Sequence, residues 1–219
     1  MKRFVWVLGT AALAIGAFVA AASMFDSKKE VQASDIASKN AEALVRAHSP
    51  IYGNANAKVT IVEFFDPACE TCRAFYPLVK SMVNASFGQV NLVVRYAPFH
   101  KGSDQAVKIL EAARTQDKYW QVMEAVLASQ PIWASHDAPQ PELIWSYLET
   151  TGLDIQKARA EVNDPRLNTL LAQDLKDAET LGVTRTPGFF VNGKPLLDFG
   201  AAQLKALIEQ EVKKAYGEG

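Results

Sequence analysis

Cysteine is scarce in this chain: there are two among 219 residues, Cys69 and Cys72. None is left over for a structural bridge, so a disulfide framework is excluded and a single Cys-x-x-C pair remains. No Met-rich or His-rich tract accompanies the pair, and the three histidines, His48, His100 and His136, are scattered. Two sulfurs fall short of the four ligands that zinc prefers, although two thiolates suit Cu(I). Basic runs are missing too, and the formal net charge is -1, so nothing points to a nucleic-acid partner.

Long apolar runs are absent but for one, the uncharged stretch 4–25 behind Lys2 and Arg3. It has the n-region and h-region of a secretory signal, with Ala20-Ala21-Ala22 or Ala21-Ala22-Ser23 as the cleavage site. As a helix it would extend about 33 Å, enough to cross a bilayer, so a retained membrane anchor is equally open. Either form places the remainder outside the cytoplasm, in a periplasmic setting, soluble or tethered. In such an oxidising space a Cys-x-x-C can donate a disulfide as well as reduce one. Residues 26–57 read as a linker and a short, weakly amphipathic helix, with His48 solvated at its end. Ser49 to Asn54 has turn chemistry.

The rest of the chain is organised around Val59 to Pro77. Val59, Ile61, Val62, Phe64 and Phe65 make a short β-branched and aromatic run, the pattern of a strand covered on both faces. Asp66, Pro67 and Ala68 break it, and a helix follows with Cys69 at its tip and Cys72 one turn inside. Free N–H groups and the helix dipole favour an anion there, so Cys69 should ionise readily. A second buried strand, Val90 to Ala97, ends at Pro98, and a helix between the two gives a right-handed βαβ unit. From about 102 to 182 the signals are helical. One apolar face carries Val107, Leu110, Tyr119, Trp120, Met123, Val126 and Leu127, with a break near Gln116-Asp117. Pro141 opens a further helix that Gly152 caps, and Gly182 ends the last. Trp120, Trp133 and Trp145 read as core. The chain then returns to strand in a hairpin turning at Asn192-Gly193, and an amphipathic helix, Ala201 to Tyr216, closes the domain.

Phe64-Phe65-Asp66 before the Cys-x-x-C, with Pro77 eight residues after Cys69, resembles the thioredoxin superfamily and most of all its DsbA-like thiol–disulfide oxidoreductases. Thr186-Pro187 ahead of Phe-Phe-Val-Asn-Gly is the second signature, and a helical block of about 80 residues is too long for a plain crossover. The resemblance implies an α/β, thioredoxin-like domain over 58–217 with a large helical insertion at 102–182, preceded by the signal or anchor segment 1–25. It implies a protein disulfide oxidoreductase that needs no cofactor. Its partners would be protein substrates with thiols or disulfides, and a membrane redox protein that recharges the pair.

In the same way the resemblance assigns the site. Cys69 is the exposed, attacking sulfur and Cys72 the buried, resolving one. Glu63 is the acid beneath Cys72 that moves its proton, helped by burial that raises a carboxyl's pKa. Thr186 and Pro187, the proline in cis, bind substrate backbone. Thr186 leans toward the isomerase and reductase branches. Strong oxidases of the family carry Pro-His between the cysteines, whereas this chain carries Glu70-Thr71. A negative charge beside Cys69 opposes its ionisation, which predicts a milder potential. His100, at the end of the second strand, reads as a loop residue. The competing reading is a thiol-based copper-binding or copper-tolerance protein of the same fold. The direction of electron flow stays open.

Overall fold

The computed structural model describes residues 31–217 together with Met24 and Lys28. The hydrophobic segment 4–25, expected as a signal or anchor, lies outside the described residues apart from Met24. Among those described, no helix is long and apolar enough to cross a membrane.

Five strands form one sheet in the order β1-β3-β2-β4-β5: β1 (Ile51–Gly53), β2 (Val59–Phe65), β3 (Val90–Tyr96), β4 (Gly188–Val191) and β5 (Lys194–Pro195). β2 and β3 run parallel, Val59 opposite Val90 and Phe65 opposite Tyr96, joined through helix α3 (Glu70–Ala85). β4 pairs antiparallel with β2, setting Phe189 opposite Glu63 and Gly188 opposite Phe64. This is the thioredoxin-like arrangement that the resemblance implies. Side chains alternate across a strand. Val59, Ile61 and Phe65 of β2 enter a core with α3, the insertion and the C-terminal helix, whereas Val62 and Phe64 enter a second core on the opposite face. Glu63 has the parity of Ile61 and Phe65, so the sheet sends a carboxyl toward α3.

The helices before the sheet are α1 (31–39) and α2 (Ala41–Leu44); the insertion carries α4 (Ser103–Arg114), α5 (Tyr119–Trp133), α6 (Ile155–Glu161) and α7 (Pro165–Thr180); α8 (Ala201–Tyr216) is last. The break between α4 and α5 falls where the sequence places it, at Asp117 with φ 56°. Pro141–Tyr147 winds as a 3₁₀ segment rather than an α-helix, keeping Pro141 and Ile144 buried at the i,i+3 spacing of that helix. Asn192 and Gly193, at φ 47° and 82°, make the tight hairpin turn that needs left-handed backbone twice.

Two features depart from expectation before Val59. β1 pairs antiparallel with β3, Ile51 opposite Val93, so the folded unit starts ahead of Lys58. Three residues are too few to show a period, and only the free edge of β3 selects them. His48 is not merely solvated: its Nε2 lies 2.6 Å from Asp174 Oδ1. Asp174 and Asp177 on α7 surround the fully buried Arg95, whose Nη2 reaches Asp174 at 2.7 Å and Asp177 at 2.6 Å. Arg46 forks onto Asp177 at 2.8 and 2.7 Å. Burial pulls the Asp177 carboxyl up, but Arg46 and Arg95 outweigh it and hold it at about 2. Removing one partner of a buried ionic cluster strands the others. Arg95→Met should therefore lower unfolding free energy by about 3–5 kcal/mol, measured by urea denaturation at pH 7. A loss under 1 kcal/mol would show that the cluster contributes little.

Candidate active site

The redox turn is built by one carboxylate. Asp66, wholly buried, ends β2, and its Oδ1 accepts the Ala68 N–H at 2.9 Å while its backbone carbonyl accepts the Cys69 N–H at 3.1 Å. That tight turn delivers Cys69 to the N-cap of α3 with φ -78° and ψ 121°. A cap normally offers side-chain oxygen to a free N–H; here Cys69 Sγ takes the role, accepting from Cys72 N at 3.4 Å. The same sulfur lies 3.4 Å from the Thr186 carbonyl oxygen. The Thr186–Pro187 peptide bond is cis. Sheet register accounts for the juxtaposition: with Gly188 opposite Phe64, the chain before it runs past the end of β2 onto the helix tip.

Both thiols are free, and neither is open to solvent: Cys69 is 5 % exposed and Cys72 0 %. The expectation of an exposed Cys69 is thus corrected to a recessed one, covered by the 186–187 loop and by the insertion. Gln130 of α5 reaches in from the insertion, donating from Nε2 to the carbonyls of Pro67 at 2.7 Å and Cys69 at 3.0 Å.

The two sulfurs are polarised in opposite directions. The Cys69 thiol is held at about 5, chiefly by hydrogen bonding from Cys72, with the Cys72 and Thr71 backbone and Thr186 adding to it against the upward pull of burial. Burial pushes the Cys72 thiol well above its ordinary value, and Cys69 and Glu63 push it further. Glu63 is 1 % exposed, and its Oε1 has no hydrogen-bond partner among the described residues. Burial first, and the Cys69 charge second, raise this carboxyl to about 8. The carboxyl does not reach solvent at the strand end.

Glu70 does not stand beside Cys69 unpartnered, as the sequence alone suggests. It is exposed, and its Oε1 lies 2.9 Å from His136 Nε2. Its own backbone N–H and then His136 keep its carboxyl below the ordinary value. The lone histidines are also not idle loop residues: His100 Nδ1 lies 2.7 Å from Asp66 Oδ2, and its ring centroid is 5.9 Å from that of His136. Sequence reasoning missed Asp66, Gln130, His100 and His136 as parts of the site. An Asp-Pro turn just ahead of Cys69 was a signal for Asp66. Gln130 and His136 lie more than 60 residues away in sequence and carried none.

The family model for thioredoxin matches residues 45–210. The sodium/proton antiporter NhaA 3 of Salinispora tropica is 31% identical over 147 residues, covering 66% of this chain and 22% of the antiporter. The chain thus spans about a fifth of that relative's length. Disulfide bond formation protein D of Bacillus subtilis is 27% identical over 176 residues, 75% of this chain and 77% of the relative. Among solved structures, a thioredoxin-like oxidoreductase from Silicibacter pomeroyi superposes with a TM-score of 0.68 and 28% identity, covering 82% of this chain and 99% of that one. With its sheet order, its Cys-x-x-C helix tip, its Thr186-Pro187 signature and its helical insertion, the chain belongs to the thioredoxin family, as a DsbA-like member.

Proposed function

We propose that the protein exchanges disulfides with other proteins through Cys69 and Cys72, in an oxidising compartment outside the cytoplasm. The observation that carries this reading is the asymmetry of the pair: Cys69 Sγ caps the helix 3.4 Å from the Thr186 carbonyl oxygen, where its thiol is lowered to about 5, whereas Cys72 is wholly buried and its thiol is pushed up.

In the donating direction, a substrate thiolate attacks Cys69 Sγ of the Cys69–Cys72 disulfide. The S–S bond breaks, its electron pair leaves on Cys72, and Cys72 takes a proton that Glu63 is placed to supply. A second substrate thiolate then attacks the substrate sulfur of the mixed disulfide and expels Cys69 as a thiolate, a good leaving group because its pKa is low. The reducing direction reverses each step, with Glu63 accepting the Cys72 proton. At pH 7 a Cys69 pKa of about 5 in place of 9.0 stabilises the reduced form by about 2.7 kcal/mol. That makes the disulfide more oxidising by about 60 mV than an unperturbed pair, despite Glu70.

Substrate backbone would lie along Thr186 and Pro187. Beside them is a cavity of about 290 Å³ walled by Val183, Arg185, Phe189 and Leu196, and the exposed rings and chains of Phe99, Leu175 and Leu197 stand nearby. Exposed apolar groups beside the 183–187 segment favour unfolded protein over a small polar thiol. A membrane redox protein would return the pair to its working state.

The test is turnover: catalysed reduction of insulin, and refolding of a reduced, scrambled protein. Acceleration of either above the uncatalysed rate is expected. A protein that does neither yet titrates Cu(I) tightly would be the copper-binding alternative.

A further inference from the structure

We propose that the groove between α3 and α5 is a specificity subsite for an acidic side chain, Asp or Glu, standing close in sequence to the reacting cysteine of a protein substrate. The inference rests on the thiol–disulfide reading of Cys69 and names the class of client that the site prefers.

The groove encloses about 570 Å³. One wall is a stripe of α3, with Arg73, Tyr76, Lys80 and Asn84; the other holds Glu124 and Leu127 of α5. Residues three and four apart share one face of a helix, so the stripe continues from Cys69, whose carbonyl accepts the Arg73 N–H at 3.1 Å. At about 1.5 Å of rise per residue, Arg73 and Tyr76 lie roughly 6 and 10 Å along α3 from Cys69. An extended substrate advances about 3.3 Å per residue, which places the acid about two or three residues from its cysteine. Tyr52 closes the far end, its hydroxyl donating to Asn84 Oδ1 at 3.0 Å.

The groove is built for an anion that the chain itself does not provide. Tyr76 is 7 % exposed, yet its hydroxyl has no hydrogen-bond partner among the described residues. Leaving a buried polar group unpaired is costly, so the hydroxyl calls for an acceptor that arrives from outside. Burial, with Glu124 second, pushes this phenol far above its ordinary value, so it keeps its proton and donates. Arg73, one turn away and half-buried, makes no ion pair among the described residues. Lys80 is already engaged: its Nζ lies 2.5 Å from Glu124 Oε1 and over the Tyr52 and Tyr76 rings, 4.8 and 5.2 Å from their centroids. Lys80 and Glu124 cancel, which leaves the Arg73 guanidinium as the surplus charge. A donor hydroxyl beside an unpaired guanidinium matches a carboxylate, and the buried Leu127 gives its methylenes an apolar floor.

The test uses the oxidised protein and short two-cysteine peptides, each oxidised to an internal disulfide as the Cys69–Cys72 disulfide is reduced. The peptides differ in one residue, Glu, Gln, Leu or Lys, placed about three positions before the first cysteine in one set and after it in the other. In one set the Glu peptide should react about tenfold faster than the Gln peptide, with the Lys peptide slowest. Taking the Glu-to-Gln ratio within each variant cancels any change in the sulfur itself. Tyr76→Phe removes an unpartnered oxygen and no charge; it and Arg73→Gln should each lower the ratio to about threefold, and the double variant to about one. Glu124→Gln releases Lys80 and should raise the ratio. A merely structural role for these side chains would slow all peptides together. Equal Glu and Gln rates in both sets, a Leu peptide faster than either, or a ratio untouched by Tyr76→Phe overturns the proposal. Equal oxidation of every peptide defeats this inference alone, and a wild type that oxidises none defeats the reading it rests on.

Discussion

Cys69→Ser should pass no disulfides, whereas Cys72→Ser should stall halfway with the substrate attached. The two variants differ by one oxygen-for-sulfur exchange three residues apart, yet the geometry gives them opposite roles. Cys69 is recessed but faces the Thr186 carbonyl, where a substrate chain would pair, and its ionised form is favoured. A serine there is a poor nucleophile near neutrality, so transfer should fall by at least about a thousandfold. Cys72 has no exposed surface and its thiol resists ionisation. It can act only on a sulfur already joined to Cys69. Without it the mixed disulfide has no internal exit, and a covalent adduct should accumulate, visible on a non-reducing gel and absent after dithiothreitol. Full-speed transfer by Cys69→Ser, or no adduct with Cys72→Ser, would remove the basis of the proposed function.

Glu63→Gln should turn a nearly flat pH dependence of stability into a rising one in the reduced protein. The folded carboxyl is raised from 4.5 to about 8, so between those values the native state holds a proton that the unfolded chain releases. Its stabilising effect is complete below about 4.5, declines as pH rises and is gone above about 8. The loss is roughly 5 kcal/mol over that window. Cys69 runs the other way. Its folded value, about 5 against 9.0, gives stability that is present above 9 and lost as pH falls through 5. In the wild type the two nearly offset from pH 5 to 8. In Glu63→Gln only Cys69 remains, so stability should climb by about 4 kcal/mol between pH 5 and 8. Urea denaturation under a reductant at several pH values would show it, and parallel curves for the two proteins would refute it. The same variant should slow resolution of the mixed disulfide by about a hundredfold, since the proton relay to Cys72 is lost.

The site was partly legible beforehand. Cys69, Cys72 and Thr186-Pro187 sit in short motifs whose order along the chain already implied the fold, and the β2 run placed Glu63 on a covered strand. The covering of Cys69 was not legible, because the Gln130 amide arrives from α5, nor were the imidazole partners of Asp66 and Glu70, which arrive from two separate loops. The partner of Glu70 was hidden for the same reason. Read along the chain, its charge neighbours only Cys69; in space, His136 claims it.

What the chain determines on its own is local: strand and helix periods, the Asn192-Gly193 turn, the helix tip under Cys69 and the scarcity that leaves one thiol pair. These follow from steric preferences and apolar spacing within a dozen or so neighbouring residues. Tertiary structure decides the ionisation of that pair, the burial of Glu63, the clamp on Arg95 and the seating of β1 on the edge of β3. Those depend on desolvation and on charges brought within a few ångströms by chain closure, and residues such as Asp66 and His100, 34 positions apart, meet only there.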